Sequence, residues 1–231
     1  MSLGHGSNTV RNGLLLNLDA ANPKSYPGSG TAWNDISRNG NNGTLFNGVG
    51  YNTDNKGAMV FDGVNDYVDC GPVAAVGSSL TGLTVSLWFN SFQKKTGILA
   101  ENGSSFSSNT FYIAQENTTV LSFLICDQAN AVDRIYAGTS YDINTWYNFV
   151  GTWESGARCK AFINSVDVSS APFGGVMTNV KSGNTNLMIA RRPNGALNFN
   201  GLITDFSIYD RALQPEEIKQ NFEALRGRYG I

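Results

Sequence analysis

The run from Gly201 to Tyr209 alternates at every step. Leu202, Thr204, Phe206 and Ile208 fall on one side, and Ile203, Asp205, Ser207 and Tyr209 on the other. A period of two marks a β-strand, whose successive side chains point to opposite faces. A helix with both ends marked follows within a few residues. Pro215 sits where a first helical turn tolerates it, because the N–H it lacks would be unpaired there anyway. Glu216 and Glu217 in that turn, and Arg226 and Arg228 at the far end, match the helix dipole. Ile218, Phe222 and Leu225 recur at i, i+4 and i+7, which gives the helix one apolar face to lay back on a sheet. Gly227 is the expected stop.

The rest of the chain reads as more strands. Residues 13–19 form a first buried strand, and 20–43 a loop dense in Asn, Gly, Pro and Ser, residues that accept positive φ or bond nearby backbone. Residues 59–68 give a strand, a turn at Asp62-Gly63 and a second strand, and 83–89 alternate again. Short strands follow at 98–100, 111–114 and 120–126, and a pair at 146–153 and 159–163. Asn164-Ser165 is a two-residue hairpin turn leading into 166–168. The 26 glycines and the low charged fraction of 15% suit many short strands joined by tight turns. With no internal repeat or linker, the expectation is one domain over 13–231 behind a flexible N-terminal leader, 1–12.

A net charge of −2 gives no electrostatic footprint for nucleic acid or an anionic membrane. No apolar run approaches a membrane span, so membrane insertion is not expected. The N-terminus lacks the basic and apolar regions of a signal peptide, so synthesis in a cytoplasm and exit by another route are expected. Without a secretory route the sequon at Asn117 carries little weight. Cys70, Cys126 and Cys159 form no short-spaced metal motif and read as small apolar fillers. His5 is the single histidine and lies in the leader, which leaves a Ser-His-Asp, Cys-His or histidine-based zinc site without its parts.

Several segments carry a family pattern in order: Phe61-Asp62-Gly63, then Asp66-Tyr67-Val68, the strand Thr84 to Trp88, the strand Trp146 to Trp153, the turn at Asn164, and Phe199 to Ile218. Together they resemble the laminin G-like, concanavalin A-type jelly-roll domain over residues 13–226. The resemblance implies an all-β, concanavalin A-like jelly-roll β-sandwich with one short C-terminal helix. Two departures stand out. Ser165 replaces the usual Gly, and Ser accepts positive φ less well. Gln214 replaces a Ser or Thr cap, at a cost of about 1 kcal/mol. Leu14 to Gly28, the Trp33 loop and Gln220 to Ile231 look like single-domain versions found among tailed-phage structural proteins.

The resemblance also brings site expectations. The same jelly roll hosts laminarinase-type glycoside hydrolases, which alternate carboxylates along one strand and need two of them about 5 Å apart. Glu101, Glu116, Glu154, Glu216, Glu217 and Glu223 form no such pattern, and Asp62, Asp66 and Asp69 sit around a turn as backbone caps. A non-enzyme is therefore expected. Jelly rolls of this kind often hold a structural Ca²⁺ with a carboxylate from the last strand. Asp205 matches that position, the alternative being that it faces solvent or bonds a neighbouring loop. For sugar stacking the loops offer Trp33, Tyr51, Phe106, Tyr112 and Tyr141, with Trp33 half-buried, while Trp88, Trp146 and Trp153 read as core. The resulting expectation is a virion structural, decoration or adhesion protein of a tailed phage that binds surface glycans. It would act as a homo-oligomer or with other virion proteins, attached through its two ends. The alternatives are a cellular, extracellular carbohydrate-binding or adhesion module and, less favoured, a glycoside hydrolase.

Overall fold

The computed structural model describes residues 8–73, 75–77, 79–103, 110–116, 120–181 and 185–231. In chain order the strands are β1 (Leu14–Asp19), β2 (Ala32–Trp33), β3 (Gly43–Phe46), β4 (Gly50–Asn52), β5 (Ala58–Asp62), β6 (Tyr67–Asp69), β7 (Gly82–Ser91), β8 (Gly97–Asn102) and β9 (Phe111–Glu116). They continue with β10 (Val120–Cys126), β11 (Val132–Ala137), β12 (Trp146–Glu154), β13 (Lys160–Ile163), β14 (Val166–Asp167), β15 (Ser169–Gly174), β16 (Leu187–Ile189) and β17 (Asn200–Tyr209). The helix α1 (Pro215–Leu225) closes the fold. An eight-stranded antiparallel sheet runs β14-β13-β12-β7-β17-β5-β4, with β1 beside the second half of β17. A nine-stranded antiparallel sheet runs β15-β11-β10-β9-β8-β16-β6-β3-β2.

The inner faces of the two sheets share one apolar core that includes Phe61, Phe89, Phe149 and Phe206 from the first sheet and Phe111 and Phe123 from the second. Contact is so close at Gly151 that a Cβ there would stand 2.3 Å from the Phe123 ring. Only glycine lets the sheets meet at that point. Cys70, Cys126 and Cys159 are buried, and burial pushes all three thiols up. Trp153 lies in this core, as does Trp33, which is 0% exposed rather than half-buried. Trp33 belongs to β2, so the loop expected over 20–43 contains a short strand that draws the indole inward.

The alternation of β17 breaks in the middle. Between Ile203 and Phe206 its register against β7 slips, so the strand carries one extra residue. Ile203 therefore joins Phe206 and Ile208 in the core, while Leu202 lies with the other face. The bulge falls where β17 exchanges partners, β5 for its first half and β1 for its second. There Thr204 Oγ1 donates to the Gly57 carbonyl (2.7 Å) and the Ala20 N–H to the Thr204 carbonyl (2.7 Å).

A second layer covers the outer face of the eight-stranded sheet. Phe222 and Leu225 of α1 pack on Trp88, Trp146 and Leu202, and Ile218 packs on Val150, Phe162 and Tyr209. Trp88 and Trp146 are thus buried, but beneath the helix rather than between the sheets. Gly227 does not stop the chain. A 3₁₀ turn, Arg226–Arg228, continues from α1 and brings Tyr229 onto Trp88, with ring centroids 4.2 Å apart. At the other end Gln214 and Glu217 form a capping box, in which Glu217 Oε2 accepts the Gln214 N–H (3.0 Å). Asn164 and Ser165 have φ of 49° and 66°, so the turn keeps the doubly positive form despite its serine.

The packed region reaches further back than Gly13. Val10 is 9% exposed beside Leu213 and Ile218, its N–H donates to Asn221 Oδ1 (2.7 Å), and Gln220 donates to the Asn8 carbonyl (2.8 Å). Residues 8–12 of the expected leader belong to the domain.

Candidate functional site

The outward side chains of the nine-stranded sheet form a row in register. Thr44 stands opposite Asp69, Asp69 opposite Met188, Met188 opposite Glu101 and Glu101 opposite Tyr112. Tyr112 then faces Leu124, Leu124 faces Arg134 and Arg134 faces Phe173. Strand periodicity produces it: the neighbours Leu45, Val68, Leu187, Ile189, Ala100, Phe111, Phe123 and Ile135 point into the core.

One end of this face presents an open aromatic surface. Phe46 of β3 and Tyr67 of β6 are a cross-strand pair, stacked at 4.8 Å between centroids with 6° between planes. The Arg191 guanidinium lies 3.8 Å from the centroid of the Tyr67 ring. Phe46 is 39% exposed. Beside it Asn42, Thr44, Asp69 and Asn186 line a shallow cleft of about 320 Å³. Asp69 there accepts from Asn186 Nδ2 (2.9 Å) and from the Gly71 N–H (2.7 Å), which fixes its carboxylate at the cleft. A stacked ring beside fixed amide and carboxylate groups offers an apolar platform flanked by hydrogen-bonding partners.

Further along the face the charges are paired. Glu101, 0% exposed, holds Arg192 (3.0 Å), and Glu116 holds Arg134 (2.9 Å). Arg134 also bonds the Tyr136 hydroxyl (2.6 Å) and lies 5.2 Å from the centroid of the Tyr112 ring. Glu101 pairs with Tyr112, and Glu116 lies four residues further along β9. At about 3.3 Å per residue the two glutamates are roughly 13 Å apart along the strand, beyond the roughly 5–9.5 Å used in glycoside hydrolysis. Asp62 and Asp66 do serve backbone: the N–H of Val64 donates to Asp62 Oδ1 (2.7 Å) and that of Asp62 to Asp66 Oδ2 (3.2 Å).

The aromatic residues expected to stack on sugar are not brought together. Trp33 and Tyr141, 0% and 1% exposed, lie in the core, the latter bonded to Gln115. Tyr112 does stand on the outward face of the nine-stranded sheet but is 1% exposed. Tyr51, half-buried on β4, packs against Tyr26 and donates to the Ala20 carbonyl (3.1 Å). Phe106 lies outside the described residues. The physical reason is common to the four described rings: in Gly- and Asn-rich surroundings a large ring gains most by burial. Phe46 was missed because a four-residue strand gives little periodic signal, and Tyr67 because its motif reads as scaffold.

Asp205 stands on the outer face of the other sheet, 6% exposed. Asn17 Nδ2 (3.2 Å) and Ser207 Oγ (3.4 Å) donate to it, and Asp19 stands opposite in register. Burial first, then the charge of Asp19, pushes its carboxyl up to about 7. Arg228 reaches Asp19 with both carboxylate oxygens in range, at 2.9 and 3.0 Å. Calcium needs six to eight oxygens. Among the described residues no three His, Cys, Asp or Glu side chains gather as a metal-binding group. The donor set does not fit a hard cation, because Arg228 already supplies the positive charge. Asp205 still ties β17 to β1, through Asn17.

A two-sheet jelly-roll sandwich with a decorated outer face and a helix across its back defines a lectin-type fold. The chain belongs to the concanavalin A-like lectin/glucanases superfamily, whose profile matches residues 61–219. Over 87 residues it is 32% identical to the human adhesion G-protein coupled receptor D1, covering 37% of this chain and 10% of the receptor. Among solved structures, the receptor-binding domain of a botulinum neurotoxin C/D mosaic superposes with a TM-score of 0.68 at 15% identity, over 93% of this chain and 52% of that one. The binding domain of Paraclostridial Mosquitocidal Protein 1 gives 0.69 at 15% identity, over 92% and 52%. The chain thus spans about half the length of those domains, and at such identities they show the fold alone.

Proposed function

We propose that this chain is a non-catalytic adhesion module that binds glycan on the outer face of its nine-stranded sheet. The observation that carries the reading is the open stack of Phe46, Tyr67 and Arg191 beside Asp69 and Asn186. A pyranose lays its C–H face on such a ring while its hydroxyls meet the adjacent amide and carboxylate. The separation of Glu101 from Glu116, each held by an arginine, supports binding without hydrolysis. Sequence likeness to an adhesion receptor supports recognition as the task.

The test is a glycan array followed by titration of the best ligand. Phe46→Ala should weaken binding by about 2 kcal/mol or more, as for truncation of an aromatic anchor, with the fold unchanged because the ring is partly exposed. Release of reducing ends from polysaccharide, abolished by Glu101→Gln, would refute the non-catalytic reading. So would full glycan affinity in Phe46→Ala refute the site. The setting that fits the phage-like segments is the surface of a tailed-phage particle, as decoration or adhesin, in a homo-oligomer or with other virion proteins. Mass spectrometry of purified particles tests that placement. The receptor match favours a cellular adhesion module as the second reading.

A further inference from the structure

On the other side of the sandwich, a cavity of about 220 Å³ lies between the eight-stranded sheet and the two chain ends. The sheet face on either side of it is apolar and covered by α1, through Trp88 and Leu202 on one flank and Val150 and Phe162 on the other. Between those flanks four adjacent strands turn polar. Asn17 of β1 stands opposite Ser207 of β17, and Ser207 opposite Ser86 of β7. Asn148 of β12 donates to Ser86 Oγ (3.3 Å), and Asp205 completes the floor. Polar groups cost free energy on a covered face unless something bonds them.

Their hydrogen-bond inventory says what that something must offer. The Asn17 amide nitrogen is committed to Asp205 and Ser207, and that of Asn148 to Ser86 and the Leu87 carbonyl. Each amide is left with its acceptor oxygen. Asp205 receives two long bonds, at 3.2 and 3.4 Å, where an ionised carboxylate has about four acceptor sites. The strand floor is therefore rich in acceptors and suits a ligand with donors, while Arg228, bonded to Asp19 through Nη1, adds a donor group to the same lining. The mouth has the opposite character. A second cleft shares Arg11, Leu14, Asn22 and Ile36 with the cavity and adds Lys24 and Arg38, so one basic side chain lines the cavity and two more line the adjoining cleft. The volume equals about seven waters at roughly 30 Å³ each and falls below the roughly 300–1,000 Å³ of drug-sized pockets. That is room for one ring, not a chain.

We propose that this cavity binds a single acidic sugar ring, with its hydroxyls on the Asn17–Asp205–Ser207–Ser86–Asn148 floor and its carboxylate at the Arg11–Lys24–Arg38 rim. The site is separate from the Phe46 surface and does not depend on it. A sugar hydroxyl both donates and accepts, so it can meet Asp205 in either protonation state, the charged state being disfavoured by burial and by Asp19, with Arg228 opposing.

Calorimetric titration of the full chain with glucuronate, glucose and glucosamine in turn tests the assignment. Ala21 lines the cavity from the loop after β1, so Ala21→Trp fills it without touching the sheet. Arg11 and Lys24 are exposed, so the double variant Arg11→Gln/Lys24→Gln removes rim charge at little risk to folding. Glucuronate should bind more tightly than either other sugar, lose binding in Ala21→Trp, weaken several-fold in the rim variant, and bind unchanged in Phe46→Ala. Absence of any glucuronate binding up to about 50 mM, a range that reaches past millimolar dissociation constants, overturns the proposal. Preference for glucosamine, unaltered binding in Ala21→Trp, or unaltered binding in the rim variant does the same.

Discussion

Asp205 alternates with Phe206 in the sequence as a solvent-facing strand carboxylate would, yet it is buried opposite Asp19 with Arg228 nearby. Its carboxyl is raised to about 7, against about 3.9 in an unfolded chain. The folded state therefore holds the proton more tightly between those values. Asp205 favours folding fully below pH 4, and that contribution is lost as pH rises towards 7. Asp205→Asn cannot ionise, so it should outlast the parent above pH 7 by roughly 2–4 kcal/mol and match it near pH 4. Melting temperatures of both proteins from pH 4 to 8 measure this. Parallel curves would remove Asp205 as the source. Nothing in the strand pattern foretold the pairing, because it depends on Arg228, which lies 209 positions from Asp19.

At the scale of elements, α1 and its 3₁₀ extension act as one clamp on the outer face of the eight-stranded sheet. Tyr229 is 7% exposed, stacked on Trp88 and 4.8 Å from the Trp146 ring. Tyr229→Ala should cost about 3–5 kcal/mol, as for other buried aromatic truncations, with a changed near-ultraviolet dichroism from Trp88. Denaturant melts and that spectrum check it, and a loss below about 1 kcal/mol would mean the tail is not part of the clamp. The helix itself was legible because Ile218, Phe222 and Leu225 declare its buried face through local spacing. The continuation past Gly227 was not, since Gly227 has an ordinary backbone and the favourable contact lies across the fold on Trp88. The β17 bulge escaped for the same reason. The alternation from Leu202 to Tyr209 is unbroken in sequence, and only the exchange of β5 for β1 as partner requires the extra residue. Motifs fixed the jelly roll, whereas the Phe46–Tyr67–Arg191 surface arises from three short segments that only the sheet register brings together.

For the whole molecule, both chain ends converge on one side of the sandwich. Val10 packs on Leu213 and Ile218, Tyr209 donates to its carbonyl (3.2 Å), and Arg211 Nε donates to the Asn12 carbonyl (3.1 Å). The surface proposed to bind glycan lies on the opposite sheet. Attachment through the N-terminal segment would therefore leave that surface outward, which is the arrangement an adhesin on a particle needs. Two deletions separate attachment from folding. Removal of residues 1–7 spares every one of these contacts and should leave the melting temperature unchanged while reducing particle incorporation or self-association. Removal of residues 1–12 also strips Val10 and its N–H bond to Asn221. It should cost about 2–3 kcal/mol from the lost apolar burial and hydrogen bond, lowering the melting temperature by roughly 4–12 °C for a chain of this size. Particle co-purification and sedimentation of both deletions against the intact chain provide the readout. Full incorporation of the 1–7 deletion would show that the leader is not the attachment point. An intact chain that stays monomeric at high concentration and never co-purifies with particles would remove the virion placement altogether.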